Sequence, residues 1–240
     1  MRAPALLVLN ATLGGLLKRV TNILVAGLTL ILFYYGEVVA ADQGPPIRIL
    51  AFGDSLTAGY GLDDLKDSLP SQLERALKAK GYNVALIQAG ISGDTTTGGF
   101  NRIEWSLAEK PDAVIVALGG NDALRAVDPA VTEKSMTGIV ERIRRDGTPV
   151  LVAGMLAPPN LGRDYADRFN ALFGRIAKMN GAVFYPFLLD GVAAVPALNQ
   201  ADRIHPTPKG VAVIVEKITP YMVTLIDQVQ ARRKAISQQK

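Results

Sequence analysis

The chain has 240 residues, 49 % of them apolar, with a formal charge of +4. That balance excludes a disordered, highly charged chain and describes a globular or membrane-associated one. It contains no cysteine and one histidine, His205, which excludes disulfides, thiolate nucleophiles, Cys-based zinc and any multi-His metal site.

Lys18 and Arg19 precede an apolar run from Ile23 to Tyr35, and Val38-Val39-Ala40-Ala41 follows it. A basic flank, an apolar core of roughly a dozen residues and a small-residue exit describe a signal peptide over residues 1–41. The run falls short of the roughly 20 residues of a membrane span, so an uncleaved anchor is the alternative reading. Removing the segment takes away Arg2, Lys18, Arg19 and Glu37 and leaves a charge of +2 on about 199 residues. The basic balance is therefore partly a targeting effect, and nucleic acid is not an expected partner. What remains suits one domain.

After a polar, Pro-bearing lead-in, Ile47 to Ala51 reads as a first strand, and Gly53-Asp54-Ser55 follows as a tight turn. A helix beginning at Leu56 would put N–H groups beside Ser55, favouring negative charge there; read alone, Asp54 or Ser55 simply caps that helix. Leu69, Leu73, Ala76 and Leu77 recur at helical spacing, with Gly81 placed as a C-cap. Asn83 to Ala89 reads as a strand, Gly90 to Asp94 as a turn, and Phe100, Ile103 and Leu107 as a helix closed by Pro111. Ala113 to Leu118 is a nearly continuous apolar run, as a strand covered on both faces requires. It ends in a Gly119-Gly120-Asn121-Asp122 turn.

Val131, Ser135, Ile139 and Ile143 mark a further helix, Val150 to Ala153 a fourth strand, and Pro158-Pro159-Asn160 a loop. Tyr165, Phe169, Leu172, Ile176 and Met179 predict an amphipathic helix, and Ala182 to Tyr185 a weaker strand. Thr207 as N-cap and Pro208 at the first position open a last helix through Val211, Ile214, Ile218, Met222 and Leu225, with a bend expected at Pro220. From Ala231 the chain reads as a frayed, basic polar tail. Strands alternating with helices predict a parallel sheet covered on both faces.

In such a sheet the turns carrying Ser55, Gly93 and Asn121 emerge at one edge and can converge with Asp202-Arg203-Ile204-His205-Pro206. Each part has a plain structural reading: Gly93 as a turn residue needing positive φ, Asn121 as a cap, His205 and Asp202 as loop residues. Together their chemistry is complementary. Ser55 attacks an acyl carbon once a base takes its proton, and His205 is the only imidazole available. Asp202, three residues earlier, reaches the other ring nitrogen and fixes its tautomer. The N–H groups of Ser55 and Gly93 and the Asn121 side-chain amide are candidate oxyanion donors, each worth about 2.7–4 kcal/mol in such a site.

Gly53-Asp54-Ser55-Leu56, the Gly93 turn, Gly120-Asn121-Asp122 and Asp202-x-x-His205 resemble, in order and spacing, the four sequence blocks of the SGNH (GDSL) hydrolase family. Within it the likeness is to the bacterial type called arylesterase, acyl-CoA thioesterase I or lysophospholipase L1, carried by Ile91-Ser92-Gly93-Asp94-Thr95, Leu118 to Asp122 and Ile204-His205-Pro206. The resemblance implies a flavodoxin-like three-layer α/β/α sandwich with a central parallel sheet, spanning residues 42–230, with 231–240 as tail. It implies Ser55 as nucleophile, His205 as base, Asp202 as its partner, and Ser55, Gly93 and Asn121 as the oxyanion hole, without metal or cofactor. The substrate is then a small-molecule or lipid acyl ester, thioester or lysophospholipid. Asp54, Leu124 and Pro158 are the expected substrate contacts. A monomer is expected, periplasmic or secreted, touching a membrane only through an uncleaved N-terminus. The alternatives are a carbohydrate O-acetyl esterase on the same fold and a non-catalytic binding module.

Overall fold

The computed structural model describes residues 44–239, so the N-terminal signal reading lies outside the described residues. Five strands form one wholly parallel sheet: β1 (Ile47–Gly53), β2 (Val84–Gly90), β3 (Ala113–Ala117), β4 (Val150–Ala153) and β5 (Val183–Tyr185), in the order β2-β1-β3-β4-β5. β3 and β4 are buried at every position, which is why their sequences are apolar runs without alternation.

Between the strands run α1 (Ser55–Ala58), α2 (Leu69–Ala79), α3 (Thr96–Leu107), α4 (Gly120–Leu124), α5 (Pro129–Arg144), α6 (Arg163–Met179) and α7 (Pro208–Gln238). α2 packs on α7, while α3 packs on α5 and α5 on α6, so two helical layers enclose the sheet. This is the three-layer α/β/α arrangement expected. Chain order reverses between β1 and β3, whose last residues Gly53 and Ala117 are register partners. Ligands of open α/β sheets bind outside the carboxyl ends of strands at such a switch point.

Several expectations need correction. Met179 and Val131 are 77 % and 46 % exposed; the buried stripes run instead through Phe169, Leu172, Phe173 and Ile176, and through Thr132, Met136, Ile139 and Ile143. The residues from Ala231 are not a frayed tail, because α7 continues to Gln238. Arg233 holds that end down: its guanidinium donates to the Pro45 and Pro46 carbonyls at 3.0 and 3.1 Å and to Asp112 Oδ2 at 2.8 Å. α7 also passes through Pro220 as one helix, losing a backbone donor there while the Thr219 hydroxyl donates to the Val215 carbonyl at 2.6 Å. Gly119 to Asp122, expected as a turn, instead opens the short α4, with Gly119 as its N-cap.

Candidate active site

β1 ends at Gly53, and α1 begins one residue later than Asp54, at Ser55 rather than Leu56. Asp54 caps it: its Oδ1 accepts the Leu56 N–H at 3.0 Å. The plain capping reading therefore holds for Asp54, and Leu56 N–H is spent. Ser55 N–H is left without a protein acceptor among the described residues. The turn lies directly on the sheet, because a Cβ at Gly90, the register partner of Gly53, would come 2.5 Å from Ala58 N and 2.8 Å from Asp54 O. Glycine at 90 is what lets the Ser55 turn sit this low.

The C-terminal loop brings the imidazole to it. His205 Nε2 stands 2.8 Å from Ser55 Oγ, and Nδ1 stands 2.6 Å from Asp202 Oδ2. The other carboxylate oxygen, Oδ1, accepts the Ile204 and His205 backbone N–H groups at 2.9 and 3.1 Å. The His205 ring bond first, and these backbone donors after it, hold the Asp202 carboxyl down at about 2. Arg203, between the two, adopts φ +61, strained for a non-glycine residue. The Tyr60 ring lies against the imidazole at 4.6 Å between centroids. Gln200 latches the loop to the segment after Ser55, its Nε2 donating to the Tyr60 carbonyl at 2.8 Å and to the Pro206 carbonyl at 3.0 Å.

Opposite, Ile91 to Asp94 closes through Asp94 N–H to the Ile91 carbonyl at 3.1 Å, with Gly93 at φ +80 in the third position, where a type II turn demands it. Gly93 N–H has no protein acceptor among the described residues. Asn121, at the start of α4, donates Nδ2 to the Asp94 carbonyl at 3.0 Å, and a long 3.4 Å contact reaches Asp54 Oδ2. The next residue, Asp122, is wholly buried and accepts the Thr96 N–H at 2.9 Å and the Thr96 hydroxyl at 2.6 Å. It pins the start of α4 to the start of α3. The Asp54 carboxyl, 1 % exposed, offers no open face, and burial pushes it up to about 6 against the Leu56 hydrogen bond and the nearby His205.

Ser55, Gly93, Asn121 and His205 share one cavity of about 380 Å³. Its walls are mainly apolar, with Leu124, Met155, Leu156, Pro158, Leu189 and Ile204 among them. Leu124 and Pro158 line this cavity, and so does the almost wholly buried Asp54. The geometry provides a hydroxyl facing an imidazole, a carboxylate behind it, uncommitted Ser55 and Gly93 N–H groups with the Asn121 amide near them, and an oily space beside them. Tyr60, Gln200 and Arg102, discussed below, escaped the sequence reading. For Arg102 a signal existed: an arginine set one residue before buried Ile103 and three after buried Gly99, flush with the inward stripe of α3.

The family profile described as GDSL-like lipase/acylhydrolase matches residues 51–213. The chain is 35 % identical to esterase TesA of Pseudomonas aeruginosa, over 79 % of this chain and 94 % of that one. It is 34 % identical to an arylesterase of Vibrio mimicus, over 82 % and 96 %. The crystal structure of AlinE4, an SGNH-hydrolase family esterase, superposes with a TM-score of 0.65 at 44 % identity, over 75 % of this chain and 97 % of that one.

Proposed function

The chain belongs to the GDSL-like lipase/acylhydrolase family and is a GDSL-type hydrolase, and on that premise we propose that it cleaves acyl and aryl esters through an acyl-enzyme on Ser55. The observation that carries the reading is the unbroken Ser55–His205–Asp202 relay, at 2.8 and 2.6 Å, opening into an apolar cavity.

In this reading the Ser55 hydroxyl donates its proton to His205 Nε2 as Oγ attacks the acyl carbon. Asp202 keeps the Nδ1 proton in place and stabilises the imidazolium that forms. The oxyanion accepts from the two uncommitted N–H groups, Ser55 and Gly93, and from Asn121 Nδ2, which exchanges its long contact to Asp54 for it. The imidazolium then protonates the departing alcohol. Water, activated by the same ring, repeats the sequence on the acyl-enzyme and releases the acid. A thiol leaving group would follow the same path, which extends the reading to thioesters, and the apolar cavity suits the single acyl chain of a lysophospholipid.

The cavity also favours longer acyl groups over acetyl. Each methylene buried there is worth about 0.8 kcal/mol, roughly fourfold in kcat/KM. Hydrolysis of p-nitrophenyl acetate, butyrate and octanoate tests this. A rise from acetate to octanoate supports the reading, and a sharp preference for acetate would favour the O-acetyl esterase instead. Export to the periplasm or beyond is supported by the Lys18-Arg19 flank, the Ile23 to Tyr35 run and the Ala40-Ala41 exit. A mature protein whose first residue is Met1 would oppose cleavage.

A further inference from the structure

We propose that Arg102 is a positioning residue that sets the oxyanion donors Gly93 and Asn121 relative to Ser55, acting through Asp94. The inference rests on the reading of those two residues as oxyanion donors. Arg102 uses all three guanidinium nitrogens. Nε donates to Asp94 Oδ2 at 2.7 Å, Nη1 to the Ala89 carbonyl at 3.0 Å, and Nη2 to the Gly53 carbonyl at 2.9 Å. The guanidinium carbon lies 3.9 Å from the centre of the Phe52 ring.

Each partner belongs to a different part of the site. Phe52 and Gly53 are the end of the nucleophile strand, and Ala89 is near the end of its neighbour. Asp94 closes the Gly93 turn. The Asp94 main-chain carbonyl in turn receives Asn121 Nδ2 at 3.0 Å. One planar cation therefore spans the base of Ser55, the Gly93 turn and, through a single residue, the Asn121 amide.

The surroundings fit a fixed orientation. The Arg102 and Asp94 side chains are only 15 % and 10 % exposed, so the pair is strong and little screened. The second Asp94 oxygen, Oδ1, packs against Gly98, where any Cβ would collide with it. A lysine could serve one of the three acceptors and could not bridge them.

A role of this kind differs from a merely structural ion pair in what it moves. Displaced oxyanion donors weaken the transition state and leave the ground state alone, so kcat falls while KM holds. The fold also offers a direct probe. A second cavity of about 400 Å³, lined by Ile87, Gly90, Ile91 and Trp105, opens onto Arg102 itself. Truncation to alanine would leave a hole that a small guanidinium ion reaches from solvent.

The experiment measures kcat and KM for p-nitrophenyl butyrate with Arg102→Ala, Asn121→Ala and the double variant, with and without ethylguanidinium below denaturing concentrations. The proposal expects kcat to fall about 100-fold in Arg102→Ala with KM within about threefold, the effect of losing one oxyanion donor. It expects ethylguanidinium to restore at least about tenfold, and the double variant to lose clearly less than the product of the two single losses, because the part of the Arg102 effect that passes through Asn121 is already gone and only the part through the Gly93 turn remains. Unchanged kcat, a loss shared with KM, no rescue, or fully additive losses would each overturn it. Should Arg102→Ala fail to fold, Asp94→Asn, nearly isosteric and lacking the charge, is held to the same kcat and KM criteria. An Asn121→Ala enzyme with normal kcat would instead overturn the oxyanion reading beneath the proposal.

Discussion

Replacing Asp202 by asparagine separates geometry from charge. The two Asp202 oxygens do different work: Oδ1 accepts the Ile204 and His205 backbone N–H groups at 2.9 and 3.1 Å, while Oδ2 meets His205 Nδ1 at 2.6 Å. Asparagine keeps an oxygen for the backbone donors but presents N–H to Nδ1. The imidazole must then carry its proton on Nε2, 2.8 Å from Ser55 Oγ, and it donates to the hydroxyl where it should accept. A triad with the wrong tautomer loses about 10⁴ in kcat, which at 1.36 kcal/mol per decade is about 5.4 kcal/mol of barrier. Stability should change little, because what is lost at neutral pH is a charge on a partly exposed group: about 1 kcal/mol, or about 2–4 °C in Tm. The assay is kcat for p-nitrophenyl butyrate beside a thermal melt at pH 7. An Asp202→Asn enzyme within tenfold of wild type would refute the reasoning, since the tautomer would then be held by something other than Asp202.

Asp54, raised to about 6 by burial, has a folded value above its unfolded one. Its contribution to stability is therefore full below about pH 4 and lost as pH rises through 6, amounting to about 3 kcal/mol by pH 7. Denaturant unfolding of wild type and Asp54→Asn should accordingly diverge by that order between pH 4 and pH 7, and a difference independent of pH would show Asp54 ionising without penalty. Asp202, held near 2, carries the opposite sign: its contribution is present above about pH 4 and lost as pH falls through 2. Gly90→Ala drives a Cβ against Ala58 N and Asp54 O, both main-chain atoms of the turn that carries Ser55. A Tm drop of more than about 4 °C together with a kcat loss of about 100-fold is expected, and a fully active, fully stable variant would mean the turn has room to rise.

Much of this fold was legible because parallel strands covered on both faces cannot hide: Val150 to Ala153 coincides with β4, and Ala113 to Leu118 overruns β3 by one residue. The catalytic candidates were legible for a related reason. A lone histidine and a serine just past a strand have few structural duties, so their chemistry stands out. Helix faces were read less well. Met179 and Val131 fit an apolar period but stand at helix ends, where the stripe rotates off the core. The C-terminal residues looked like a tail because the contacts that anchor them, Arg233 against Pro45, Pro46 and Asp112, join positions 121 to 188 residues apart. α4 was hidden behind two glycines that ordinarily end structure. Gln200 stayed invisible because it acts on main-chain carbonyls, which have no sequence; Arg102 showed its place on the inward stripe of α3 but not its carbonyl partners, Gly53 and Ala89.

The central claim is that Ser55 is the atom-bearing nucleophile of an acyl-transfer site, and covalent trapping tests it most directly. The purified protein is treated with an ethyl p-nitrophenyl phosphonate and followed by intact mass, peptide mapping and residual esterase activity, beside Ser55→Ala. The account predicts one phosphonyl group per chain, on the peptide containing Ser55, with activity lost in step, and neither labelling nor turnover in Ser55→Ala. Labelling on another residue, or a Ser55→Ala protein that still hydrolyses esters at the wild-type rate, would contradict it.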